Sequence, residues 1–201
     1  VRFTLRKRGQ RRTKRVLCGQ KNSFGRQLAR VSAINYQETL WSDLFPGNYL
    51  TMQCLQPAVL GVESSFDLAP ETRKHVLWRL DGGSGTDENL RWLLERGYHL
   101  HGKGFSGKRA NALARHVKRW DAYDAQAQLG RVVPSFDLGR PIDVLVKRRW
   151  QKGGWRHSYY VSTLTFPSKR AFMDKYNQRG AAEIEQFRTD KNGLHLSARR
   201  K

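Results

Sequence analysis

The spacing of apolar residues changes along the chain, and each change predicts an element. Leu28, Val31 and Ile34, followed by Thr39–Phe45, read as strand material closed by a Pro46-Gly47-Asn48 turn. Leu55, Val59, Val62 and Phe66 recur every three or four residues, which predicts a helix over 51–66 with Thr51 as its N-cap. Pro57 shifts the expected start of that helix toward Gln56. His75–Leu80 is a short, mainly apolar run of strand length that ends at Asp81. Gly82-Gly83-Ser84-Gly85-Thr86 then forms a tight loop. Asp87 caps a helix whose Leu90, Leu93 and Leu94 share one face and whose end is marked by Gly97. Tyr98–Lys103 reads as the next strand. Strand, loop, helix and strand in this order predict an α/β fold, a buried sheet covered by helices.

Downstream, Ser106–Trp120 reads as a helix with Leu113 and Val117 inward and a basic outer face. Residues 121–140 read as a loose connection containing Pro134. Asp143–Trp150 and Trp155–Leu164 alternate well enough for a β-hairpin turning near Gly153-Gly154. Pro167 opens a last helix that runs to about Lys191, where Asn192-Gly193 stops it.

Charge sharpens the picture. The 201 residues carry 38 Lys and Arg against 17 acids, a net charge of +21. Residues 1–37 contain no acid, and eleven cations fall in the first thirty positions. The excess recurs at Lys108, Arg109, Arg115, Lys118 and Arg119, and again at Lys147, Arg148, Arg149, Lys152 and Arg156. Repetition on several segments predicts a surface that tracks phosphates, with nucleic acid as the partner rather than a membrane. Six Trp and nine Phe supply the mass for a core. Cys18 and Cys54 fit two free thiols in a reducing cytosol, with no zinc-type spacing. No run of eighteen apolar residues and no signal-peptide core occurs, and a start at Val1 rather than Met suggests a fragment.

Two acids stand out. Asp81, at the carboxyl end of a buried strand, sits where open α/β sheets place ligands. It equally suits a cap on its own glycine loop, and no Gly-Lys-Ser/Thr follows to make a P-loop. Tyr176, Arg179, Glu183 and Phe187 are spaced three, four and four residues apart, so they line one helix face. That face is either core with an Arg179–Glu183 ion pair at its margin, or a site that Gly180, Ala181 and Ala182 let a ligand approach. His99 and His101 lack a third ligand and read as surface or sheet residues. Trp78 and Trp92 read as core. Trp150 and Trp155 flank the hairpin turn, where packing onto the core is the commoner role and base stacking the rarer one.

Tyr176-Asn-Gln-Arg179-Gly-Ala-Ala-Glu183, with Lys191 and Gly193-Leu194, resembles the Tyr–Arg–Glu–Lys signature of bacterial insertion-sequence DDE transposases. Leu80–Asp87, Gly97 and Lys103–Arg109 are similar to that family's second-Asp region, and Gly25–Arg30 with Pro46-Gly47-Asn48 to the sheet before it. The likeness runs from about residue 14 to the C-terminus. It implies a ribonuclease H-like core with a β-rich insertion before the catalytic Glu. On that pattern residues 1–25 are a basic arm with a remnant of the first strand, 26–120 the core, 121–165 the insertion and 166–201 the catalytic helix and tail. Asp81 and Glu183 would be catalytic carboxylates and ligands of two Mg²⁺ or Mn²⁺ ions about 3.5–4 Å apart. Tyr176, Arg179 and Lys191 would contact DNA phosphates. The chemistry implied is phosphodiester hydrolysis and strand transfer on double-stranded DNA, at transposon ends and target. A homodimer in a synaptic complex and a cytoplasmic, nucleoid-associated location in a bacterium complete the expectation.

Two departures stand against the pattern. Lys191 follows Glu183 after seven residues instead of six, with Arg188 as a substitute. The first catalytic Asp is missing: Val1–Leu5 is either an altered version of its strand, or the Asp preceded Val1. The rival readings are therefore a decayed transposase that binds DNA without cutting it, and a basic structural nucleic-acid-binding protein.

Overall fold

The computed structural model describes residues 2–8, 26–36, 38–46 and 49–178, with the backbone alone for 2–8, 26 and 27. Nine strands form one mixed sheet in the order β3-β2-β1-β4-β5-β9-β8-β7-β6. They are β1 (Arg2–Arg8), β2 (Arg26–Ala33), β3 (Glu38–Pro46), β4 (Leu77–Leu80), β5 (His99–Lys103), β6 (Trp120–Asp124), β7 (Ala127–Val132), β8 (Asp143–Gln151) and β9 (Gly154–Ser162). The two parallel pairings, β1–β4 and β4–β5, lie side by side, and all other pairings are antiparallel. The α/β class expected from the sequence is the class observed.

The helices are α1 (Thr51–Ser65), the single turn α2 (Pro70–Arg73), α3 (Asp87–Glu95), α4 (Gly107–Arg115) and α5 (Lys169–Asn177). One face of the sheet supplies Val31, Trp78, Leu80, Leu100, Val144, Val146, Tyr159 and Val161 to a core shared with α1, α3 and α4. The other face supplies Leu129, Leu145 and Tyr160 to a smaller core under Phe172, Met173 and Tyr176 of α5. Alternation along each strand assigns the two sets, because successive side chains leave a strand on opposite faces.

Several sequence expectations are corrected. Helix α1 starts at Thr51 despite Pro57, and its N-cap is Leu50 rather than Thr51. The Gln53 side chain accepts the Leu50 N–H at 2.7 Å. Interior proline costs a helix about 3 kcal/mol, whereas burying Leu55, Val59 and Val62 completely returns roughly 1.5–3 kcal/mol each. Phe66, expected on the buried face, is its exposed C-cap. Thr86, not Asp87, caps α3 by accepting the Asn89 N–H.

Helix α4 stops at Arg115, and Trp120 begins β6. The first part of the expected loose connection is two strands, β6 and β7, that extend the sheet from β8, whereas residues 133–140 around Pro134 are irregular. Ala127, Leu129 and Val132 are buried, but β6 reads Trp-Asp-Ala-Tyr-Asp, a polar edge strand without apolar alternation. The β8–β9 hairpin turns at Lys152-Gly153, one residue before the expected place, with φ of 51° and 76°. Positive φ at both central residues marks the turn whose twist matches its strands.

Candidate functional site

Strands β4 and β5 are parallel and end together, so the loops that follow them share one edge of the sheet. Asp81 opens the first loop. Its Oδ1 accepts the Gly83 N–H at 3.0 Å and the Ser84 N–H at 3.3 Å. The loop lies tight on β5: a Cβ on Gly85 would stand 2.0 Å from the Lys103 carbonyl oxygen, so no larger residue fits. The capping role weighed for Asp81 is therefore present, and it occupies one carboxylate oxygen.

The β1–β4 ladder pairs Leu5 with Leu80, and β1 continues to Arg8. Position 6 thus lies level with Asp81 on the neighbouring strand, and it is Arg6. Strand β1 spans Arg2–Arg8 and carries no acid.

Helix α5 crosses the other face. Its start is fixed near β6 by Lys169, which pairs with Asp121 at 3.1 Å and donates to the Arg119 carbonyl. Phe172 packs tilted and Tyr176 edge-on against His101 of β5, with ring centroids 4.7 and 6.1 Å away. Tyr176 also meets Tyr160 at 4.7 Å. At the helix end, the fully buried Arg79 of β4 donates to the Tyr176 carbonyl at 3.0 Å. The last turn of α5 is thus tied to β4 through Arg79, two residues before Asp81.

Electrostatics on this face are cationic. Burial pushes the His101 imidazole down to about 3, and the Arg79 charge beside it adds to the drop. Lys147 of β8 lies 4.8 Å from the Tyr123 ring centre. Burial lowers its pKa, Asp124 opposes that, and Arg149 and Lys103 reinforce it. A cation close to Lys103 and Arg149, with one nearby carboxylate, is held in a field suited to polyanions.

On the opposite face the hairpin is aromatic as well as basic. The Arg148 guanidinium lies between Trp120 at 4.2 Å and Trp155 at 4.5 Å. Trp155 meets Trp150 edge-on at 5.2 Å, and both are partly exposed. Trp78, expected in the core, is fully buried against Tyr98. His101, expected at the surface or in the sheet, is fully buried.

Of the five residues expected at the site, Asp81 and Tyr176 are described, and Arg179, Glu183 and Lys191 lie outside the described residues, as do Arg188 and Cys18. Tyr176 is 7% exposed, with its ring in the core. Among the described residues no three His, Cys, Asp or Glu side chains group as a metal site. No described helix is long and apolar enough to cross a membrane. Arg79 and Lys103 were not singled out from the sequence. An arginine inside the four-residue run Leu-Trp-Arg-Leu was the available signal, since a buried guanidinium demands a buried acceptor. No family model matches this chain, and no curated protein matches it.

Proposed function

We propose that this chain is the core of a DDE-type transposase that works on the ends of double-stranded DNA. What carries the reading is the docking of α5. Its Tyr176 carbonyl is held by Arg79, two residues before Asp81, and Arg179 and Glu183 follow three and seven residues later in the sequence. The order β3-β2-β1-β4-β5, with β1, β4 and β5 parallel and β2 reversed, is consistent with a ribonuclease H-like core. Strands β6–β9 stand where the β-rich insertion would fall. Lys103, level with Asp81 on the adjacent strand, and Lys147 and Arg149 farther along the sheet on β8 offer charge for DNA phosphates.

Metal-dependent hydrolysis and strand transfer need three carboxylates around two Mg²⁺ or Mn²⁺ ions. The described residues do not fit that pair: Asp81 is one carboxylate, half engaged by its loop, and position 6 beside it is a cation. The observation favours a second reading within the same fold, a chain that binds DNA ends and does not cut them.

One experiment separates the two. The full chain is given an end-bearing duplex with Mg²⁺ or Mn²⁺, and nicking and binding are measured together. The cleaving reading expects metal-dependent nicking that Glu183→Gln abolishes while affinity holds. The binding reading expects salt-dependent affinity and no nicking, with focal Mn²⁺ binding gained in Arg6→Asp. Absence of both nicking and salt-dependent DNA affinity would refute the transposase reading altogether.

A further inference from the structure

At the carboxyl ends of β4 and β5, on the α4 side of the sheet, lies a cleft of about 210 Å³. Helix α4 opens onto it. The Ser106 hydroxyl caps the helix by accepting the Arg109 N–H at 3.1 Å. The Gly107 and Lys108 N–H groups, at the first two helical positions, precede any intrahelical acceptor, and the first turn contains no acid.

A second observation points the same way. Tyr159 lines the cleft and is 1% exposed, and its hydroxyl has no hydrogen-bond partner. That oxygen faces the Ser106 N–H and the Arg109 guanidinium. Arg109 is held in place by stacking 4.4 Å from the Phe136 ring centre and by its ion pair with Asp87. The Asp87 carboxylate is the one acid in the lining, and it is ion-paired with Arg109. The remaining polar side chains of the lining are the Thr86 and Ser106 hydroxyls, which already accept the Asn89 and Arg109 N–H groups, the Tyr159 phenol and the Arg109 guanidinium. Hydroxyl and guanidinium donors beside a helix N-terminus select an oxyanion.

We infer that this cleft binds the oxyanion of a phosphoryl group, and that a nucleic-acid backbone supplies it. The +21 charge of the chain and Phe105, 54% exposed at the rim, favour a nucleic-acid source over free phosphate. Only that choice of source rests on the DNA reading above. Asp81 lies four residues before the Gly85 edge of the cleft, so a bound phosphate would hold a strand one loop away from it.

The test removes one donor and nothing else. A Cβ at Gly107 meets no atom within 4 Å, and Ser106 before it is extended. Gly107→Pro is therefore compatible with α4, because proline suits the first helical position and lacks only the N–H. Gly107→Ala keeps the N–H and serves as its control. Binding of inorganic phosphate is measured by calorimetry on the full chain, and binding of a short single strand and its duplex by fluorescence anisotropy at fixed salt. Circular dichroism establishes that both variants fold.

The expected result is a loss of phosphate affinity of at least about tenfold in Gly107→Pro, none in Gly107→Ala, and tighter binding in Asp87→Asn, which frees Arg109. Parallel weakening of either oligonucleotide supports the nucleic-acid source. Weakening of inorganic phosphate alone overturns that source. Equal phosphate affinity in all the variants overturns the site. None of these readouts depends on nicking, so failure of the cleavage reading leaves them intact.

Discussion

Replacing His101 with Phe should flatten the stability of the protein against acid. In the fold His101 is fully buried among Phe166, Phe172 and Tyr176, and neither ring nitrogen has a hydrogen-bond partner. Burial, joined by the Arg79 charge, holds its pKa at about 3, while the Phe172 backbone offsets only part of the fall. An unfolded histidine titrates near ~6.5. The folded pKa is depressed, so between these values the unfolded chain binds a proton that the native chain refuses. Stability is then complete above the unfolded value and is lost as pH falls from ~6.5 toward 3. From pH ~7 to ~5 the loss assigned to His101 is about 2 kcal/mol, at ~1.4 kcal/mol per unit below ~6.5. Denaturant unfolding followed by tryptophan fluorescence at both pH values measures it in wild type and in His101→Phe. Taking the difference between the two proteins cancels the other titrating groups, including His99 and His157, whose pKa values burial also lowers. Should both lose stability equally between pH ~7 and ~5, the buried, neutral imidazole beside Arg79 is not the acid-sensitive group.

Three further outcomes are expected. Glu63→Gln should destabilise the protein by roughly 1–3 kcal/mol at neutral pH, because Glu63 is shared by Arg73, Arg96 and Tyr98. Burial pushes its carboxyl up, but hydrogen bonds from Arg96 and Tyr98 and the charges of Arg96 and Arg73 hold it below the usual range. Its contribution is thus present above the ordinary carboxylate pKa and lost as pH falls through the lowered one, so the variant and wild type should converge in strong acid. Gly104→Ala should cost on the order of 1–3 kcal/mol in denaturant unfolding, since a Cβ there would lie 2.0 Å from the Tyr159 ring; an unchanged midpoint would mean that the ring can retreat. Arg148→Ala should lower stability by about 1–2 kcal/mol through lost stacking on Trp120 and Trp155. It should leave the salt slope of DNA binding unchanged if the guanidinium is structural, and a drop of about one unit would instead place it on a phosphate.

The sequence by itself determined the elements whose apolar period is strong and the sign of the chain's own charge. Trp78-Arg79-Leu80 before Asp81, the glycine loop, and Leu90, Leu93 and Leu94 on one helix face could be read locally, because each is decided by neighbours within a few residues. The surplus of cations is a sum over residues and needs no coordinates. Tertiary structure decided the rest. Residues 120–132 became strands because β8 offered a pairing edge, which no local pattern in Trp-Asp-Ala-Tyr-Asp announces. Arg79 became the fastener of α5 because a residue 97 positions away brought it a carbonyl. Position 6 acquired meaning only when parallel pairing set it level with Asp81. Each of these depends on which strands lie side by side, and register between distant segments is fixed by burial of whole faces rather than by local spacing.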